Sequence, residues 1–511
     1  MTNKDRTRKR NKELRRREQR IRFRLRDRDW NDQDRPMLRA ANIHYEIAER
    51  DRGIAVGGIG VIHRMVTKLG LQKAINADVR LLKRHLPYHE SDHVLTMAYN
   101  VLVGGTCLED IELRRNDEAF LDSLGASRIP DPTTAGDFLR RFEVRHVEQL
   151  MDVINRRRLT VWAQQPAEFF EQAVIDADGT MAETDGECKL GMDINYKGQW
   201  GYQPLLVSLA NTQEPLYLAN RPGNRPSHEG AAAWLDRAVG LCREAGFRRI
   251  LLRGDTDFSQ TERLDGWNDA GVEFIFGLDS IATLRNLAEG LPIRAWKRLE
   301  RPAKYEVETA PRERPDNVKE RIIRERGFRN IRLLGEDVAE FMYRPIACRN
   351  AYRVVVVRKN LTIERGGVEL FPEIRYFFYI TNETKLSTEE IVFLANARCN
   401  QENLIEQLKN GVHSMNLPSA TLESNWAYMV VASLAWTLKA WFALLLPVQG
   451  RWAEKHGAEK DTVLRMEFKR FLNAFMRLPV QVVTQGRRII LRILGWNPWL
   501  HVFLRGVRTV G

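Results

Sequence analysis

Apolar residues recur at three- and four-residue spacing over 61–71 and 94–102, which predicts helices with one buried stripe. The segment 130–142 (PDPTTAGDFLRRF) reads as a helix start, with Thr133 or Thr134 as cap and Phe138, Leu139 and Phe142 as its stripe. Residues 37–165 are therefore expected to be mainly helical. From 171 the period shortens. Strands are expected at 172–175, 202–210 and 215–219, the last two joined as a hairpin by an Asn-Thr-Gln-Glu turn. A helix over 228–245, a strand over 249–253, a helix over 259–270 and a strand over 272–277 follow. Residues 300–382 hold β-rich runs such as 352–358 (YRVVVVR) and 375–380 (RYFFYI), with no long helix between them. Ser387 then caps a helix expected over 388–410, with Glu389 and Glu390 in its first turn.

Three strands in a meander followed by alternating helix and strand is the order of a ribonuclease-H-like sheet. The expected class is α/β: a mixed-sheet core of that kind, an inserted all-β domain and flanking helical regions. At 511 residues the chain exceeds what one core fills. The expected divisions are an arm, 1–36; a helical N-terminal region, 37–165; the first part of the core, 166–290; the β insertion, 291–385; a core helix, 386–412; and a helical C-terminal region, 413–511.

Charge adds a partner. Lys and Arg number 80 against 67 Asp and Glu, a net of +13. Residues 1–30 alone carry 14 basic and five acidic groups. An arm of that composition neutralises phosphates and releases counterions, so Arg15, Arg16 and Arg17 are candidate DNA contacts, and 37–165 a candidate DNA-binding region. The five cysteines, Cys107, Cys188, Cys242, Cys348 and Cys399, have no paired spacing, which excludes a Cys-ligated zinc site and fits a reducing cytoplasm. The apolar run 426–446 contains Lys439, Ser433 and Thr437, so a buried helix is expected there and no membrane span. Gly57, Gly58 and Gly60 lack the Lys-Ser/Thr of a phosphate loop and read as a turn.

Cleaving a phosphodiester calls for an activated nucleophile and a stabilised leaving oxygen, which two divalent ions roughly 4 Å apart supply together. Such ions take carboxylate ligands on rigid elements. Asp178, in Ile-Asp-Ala-Asp178-Gly-Thr, ends a strand, and Asp176 shares its face; Asp178 is the favoured ligand of the two. Asp255, in Leu-Leu-Arg-Gly-Asp255-Thr-Asp-Phe, lies just past a strand, and Asp257 is either its rival or a helix cap. Glu402 is the third acid. On one continuous helix, Arg398, Glu402 and Lys409 fall within a wedge of ~40°, so the acid would face metal while the two cations meet phosphates.

The segment Arg398-Cys-Asn-Gln-Glu402-Asn-Leu-Ile-Glu-Gln-Leu-Lys409 resembles the Arg-x3-Glu-x6-Lys signature of insertion-sequence DDE transposases. Asp178-Gly-Thr and the segment around Asp255 resemble the first and second Asp motifs of that group. The β-rich stretch before Glu402 matches the branch with a β insertion. Two residues depart from the pattern: Ala395 stands where the family has Tyr, and Asp257 where it has Gly.

The resemblance implies Asp178, Asp255 and Glu402 as catalytic ligands of two Mg2+ ions, with Mn2+ able to substitute. It implies Arg398 and Lys409 on phosphates, and Trp296 stacked on a base at the transposon end. The expected activity is binding of terminal inverted repeats, cleavage at the ends and joining to target DNA, by a homodimer in the DNA complex. The expected location is the cytoplasm, nucleoid-associated when DNA is bound. The alternatives are a ribonuclease-H-like nuclease without strand transfer and an inactive, transposase-derived DNA-binding protein.

Overall fold

Apolar, β-branched and aromatic residues at period two build a nine-stranded sheet in the unit formed by Pro166–Glu187 and Gly191–Ile405. The computed structural model describes residues 3–26, 44, 51–301, 317–366 and 368–509. In chain order this unit runs β1 (Gln172–Gly179), β2 (Leu205–Leu209), β3 (Glu214–Ala219), α1 (Ala231–Ala245), β4 (Arg249–Gly254), α2 (Leu264–Asp269) and β5 (Glu273–Leu278). It continues with β6 (Lys297–Arg298), β7 (Arg329–Tyr343), β8 (Tyr352–Arg365), β9 (Val368–Thr381), α3 (Thr388–Asn396) and α4 (Cys399–Glu406).

The sheet order is β6-β7-β8-β9-β5-β4-β1-β2-β3. β2 is antiparallel to both neighbours, and β4 and β5 run parallel to β1. That five-strand order is the ribonuclease-H-like core. The inserted strands do not close into a body of their own. β9 pairs antiparallel with β5, from Phe378 opposite Leu278 to Thr381 opposite Ile275, so the insertion prolongs the same sheet. The pairing satisfies backbone groups that an uncovered β5 would leave as an open edge.

Two local expectations change. The strand expected over 202–210 is two, Trp200–Tyr202 and Leu205–Leu209, split at Pro204, which has no N–H for a ladder. The first of these joins a small sheet with Ala182–Glu183 and Asp193–Ile194. The helix expected over 388–410 is interrupted: α3 stops at Asn396, α4 begins at Cys399, and a π-helical turn, Gln407–Gly411, follows.

Period two decides what each face carries. Val174, Asp176 and Asp178 point one way from β1, and Leu251 and Arg253 point the same way from β4. α3 lies on that face: its Ile391 and Val392 pack with Leu251, Ile275, Val338, Val355 and Val357 into one buried cluster. The Ser387 capping box fixes the start of α3, with the hydroxyl accepting from Glu390 N–H at 3.2 Å. The chain leading to the third acid is thereby laid over the strand ends that carry the first two.

The second unit comprises Met1–Gln165, Cys188–Leu190 and Glu406–Gly511. Its hub is the helix Leu422–Leu444, long and apolar enough to cross a membrane but buried here from Ser424 to Leu444, with Val144–Trp162 and Glu90–Leu102 against it. Asp131, rather than either threonine, caps Pro132–Leu139, accepting from Thr134 N–H at 2.8 Å. The C-terminal region is not all helix. Val480–Gln485 and Arg488–Ile493 form a hairpin about Gly486, whose φ of 58° suits glycine, and Gly53–Ile54 adds a third strand.

Candidate active site

Asp178 is the penultimate residue of β1 and Asp255 follows β4, the neighbouring parallel strand, so the two carboxylates leave the sheet at the same end. Arg398 meets both. Its Nη1 lies 3.3 Å from Asp178 Oδ2 and 3.8 Å from Asp255 Oδ2. Glu402, one turn on in α4, is exposed, and its negative charge acts on Asp178. Gln401 sets the position of that turn. It is buried, its Oε1 accepts from the Ser208 hydroxyl and its Nε2 donates to Leu206 O at 3.4 Å, both on β2.

Burial pushes the Asp178 carboxyl up to about 6; Arg398 pulls it down, and repulsion from Asp255 and Glu402 pushes with burial. Burial also raises Asp255, again against Arg398, and Asp257 and Asp279 add repulsion. Two half-buried acids and an exposed third that repel one another are stabilised by a hard divalent cation, and the donors here are carboxylate oxygens. The residues present therefore fit such an ion.

The pairs left open by the sequence separate. Asp176 is fully buried and grips Arg253 through two bonds, Nε to Oδ1 at 2.7 Å and Nη2 to Oδ2 at 2.8 Å. Burial pushes its carboxyl up and Arg253 opposes that. It is a structural strut: Arg253 also donates from Nη1 to Leu394 O at 2.8 Å, so one guanidinium ties β1, β4 and α3 together. Asp257 is exposed and does not cap the next helix; Asp255 itself accepts from Asp257 N–H at 3.1 Å.

Arg398 stands in the turn before α4, and α4 passes into a π-helical turn at Gln407, so Arg398, Glu402 and Lys409 do not lie on one regular α-helix; Lys409, in that π-helical turn, is half-buried. Arg15 and Arg16 are exposed on the helix Asn3–Arg26, whereas Arg17 is spent on backbone, donating from Nη1 to Ile493 O at 2.8 Å and Leu494 O at 3.1 Å. Residues 27–36 of the arm lie outside the described residues. Trp296, just before β6, is half-buried with the Arg358 guanidinium 4.2 Å over its ring.

Sequence reasoning passed over Arg253 and Gln401. The first had a signal: a charged residue inside an otherwise apolar strand must find a partner when the strand is buried. Gln401 had none, since an amide in a polar helical stretch is unremarkable until its neighbours across the sheet are known.

Comparison with known proteins adds the following. The family described as Transposase DDE domain group 1 matches residues 53–510. Among solved structures the chain is similar to a piggyBac transposase, seen by cryo-EM in a synaptic complex with hairpin DNA, at 11% identity and a TM-score of 0.36, over 82% of this chain and 81% of that one. No curated protein matches.

Proposed function

From the chain's membership of the transposase DDE domain group 1 family, we propose that this transposase binds the terminal inverted repeats of its element, cuts at their ends and joins them to target DNA. The observation that carries the reading is the convergence of Asp178 and Asp255 on the single Arg398 nitrogen, with Glu402 adding its charge.

Asp178, Asp255 and Glu402 would hold the divalent ions, Mg2+ or in its place Mn2+, which when bound lower the pKa of water and stabilise the leaving oxygen. The chain's own part is positioning. The Asp176–Arg253 strut holds the two strand ends and α3 in place, and Gln401 fixes the start of α4. Arg398 neutralises the acids before DNA arrives and offers its planar fork to a phosphate afterwards. Lys409, Arg15 and Arg16 contribute phosphate contacts that set register rather than sequence. Trp296 offers one ring face to a base, its other face being taken by Arg358. Two copies bridge two element ends in the DNA complex.

The test is incubation of the full chain with end DNA and Mg2+, read on a denaturing gel for nicks, hairpins and joined products. Asp178→Asn, Asp255→Asn and Glu402→Gln should each abolish cutting while leaving DNA binding near normal. Cutting without joining would favour a nuclease; variants that cut as well as the parent would remove the acids from the chemistry.

A further inference from the structure

Three side chains that the transposase reading leaves unused, those of His85, His89 and Glu90, meet at the start of the helix Glu90–Leu102. One ligand atom from each lies within 4.8 Å of the other two. The acid is the fixed member. Glu90 is 2% exposed, and its Oε1 accepts from the Leu81 and Leu82 N–H groups at 3.1 and 2.9 Å. Its Oε2 faces the histidines, 3.2 Å from His85 Nε2. The His89 ring stacks on His85, with centroids 4.0 Å apart and planes 19° from parallel. Its backbone is held as well, the His89 N–H donating to Asp92 Oδ2 at 2.8 Å.

The spacing, the support and the access all suit a metal ion. Two ligands of a tetrahedral ion with bonds near 2.0 Å stand about 3.3 Å apart. His85 Nε2 and Glu90 Oε2 already stand 3.2 Å apart. The two N–H groups on Oε1 orient the carboxylate, as outer-shell partners of metal ligands do. Both histidines are exposed, so an ion can enter, and the His89 ring has room to tilt out of the stack and aim a nitrogen at it. Two imidazoles with one carboxylate select a borderline ion such as Zn2+ over Mg2+, which keeps to oxygen ligands.

We propose that His85, His89 and Glu90 form a Zn2+ site, with water as the fourth ligand. On binding, the proton that His85 Nε2 donates to the carboxylate is displaced. It shifts to Nδ1 in a neutral ring, or leaves to water from a protonated one, and two bonds to the metal replace the His85–Glu90 hydrogen bond. The ion ties the loop 79–89, which carries the exposed Arg80, Lys83 and Arg84, to the helix that follows it. The site orders that loop and needs no DNA.

The test is calorimetric titration of the full chain with Zn2+ in excess Mg2+, joined to hydrogen exchange read by mass spectrometry. The parent should bind one Zn2+, and amide exchange over 79–90 should slow at least about ten-fold. His85→Gln and His89→Gln change exposed residues, so each should melt like the parent in the absence of Zn2+. Each should weaken Zn2+ binding by at least about ten-fold and lose the slowing. Glu90→Gln, which keeps an oxygen for the two N–H groups, should weaken it likewise. A parent that binds no Zn2+ overturns the proposal, as does Zn2+ that binds the histidine variants as well as the parent or leaves exchange over 79–90 unchanged. Binding that is lost in Asp178→Asn instead places the ion among the catalytic carboxylates and overturns it too.

Discussion

Arg253→Met tests whether the buried strut holds the site together. Asp176 has no exposed surface and Arg253 is 4% exposed, so methionine fills most of the volume but leaves a carboxylate without its counter-charge. Removing one partner of such a pair costs about 3–5 kcal/mol, and the loss includes the donor to Leu394 O. For a unit of this size that is a fall in Tm of roughly 10–15 °C. The sign with pH follows from Asp176. In the variant its folded pKa stands above the unfolded value of about 3.9, so the folded state favours the neutral acid. The deficit is then smallest in acid and widens as pH rises from the unfolded pKa through the raised one. Asp176→Leu combined with Arg253→Met removes both charges and should regain most of the stability. Its cleavage should stay depressed, on the order of 10²-fold, because the strand ends carrying Asp178 and Asp255 have lost their tie to α3. Calorimetry and urea melts between pH 4 and 8 read the first part, and end cleavage the second. If the single variant melts within two degrees of the parent, or the double variant melts no higher than the single one, Arg253 is not what offsets Asp176.

Other expectations are independent of that strut. Arg398→Gln, with the acids' counter-charge gone, should bind Mn2+ more tightly than the parent without DNA, measured by titration calorimetry, yet cut end DNA more slowly; weaker metal binding would count against it. Changing exposed Arg15 and Arg16 to Ser should reduce the slope of log K against log salt by about 2, read by fluorescence anisotropy on end DNA, since each phosphate contact contributes about 0.9. Lys439 is fully buried, donates to Leu464 O at 2.6 Å, and burial lowers it to about 7. Its folded pKa is below the unfolded value of about 10.4, so the unfolded chain holds the extra proton between those values and stability should rise with pH across that window. Lys439→Met should flatten this rise and stabilise the protein at pH 6 by about 2–3 kcal/mol, after the lost hydrogen bond is counted; a urea melt at pH 6 and pH 9 decides it.

How much was legible beforehand varies with the range of the interaction concerned. The strand-helix order from 171 to 278 was readable because period two and period 3.6 are local consequences of which side of each element is dry. The acids at 178 and 255 were readable for the same reason: each sits where an apolar run stops. The helix Leu422–Leu444 read as buried because Lys439 interrupts it, and it is buried from Ser424 to Leu444. The splitting of 202–210 was within reach too, since Pro204 announces it.

What the sequence by itself determined, then, is the set of strands and helices and the positions at which carboxylates stand on them, because hydrophobic periodicity and chain punctuation act over a few residues. Only the tertiary structure decided that Asp176 belongs to Arg253 and Asp178 to Arg398, that β9 docks on β5 and so prolongs one sheet, and that the helix is interrupted between Asn396 and Cys399. Those outcomes depend on which groups meet across tens or hundreds of residues. There the cost of leaving a buried charge or a sheet edge unpaired selects the partner, and no local pattern records that choice.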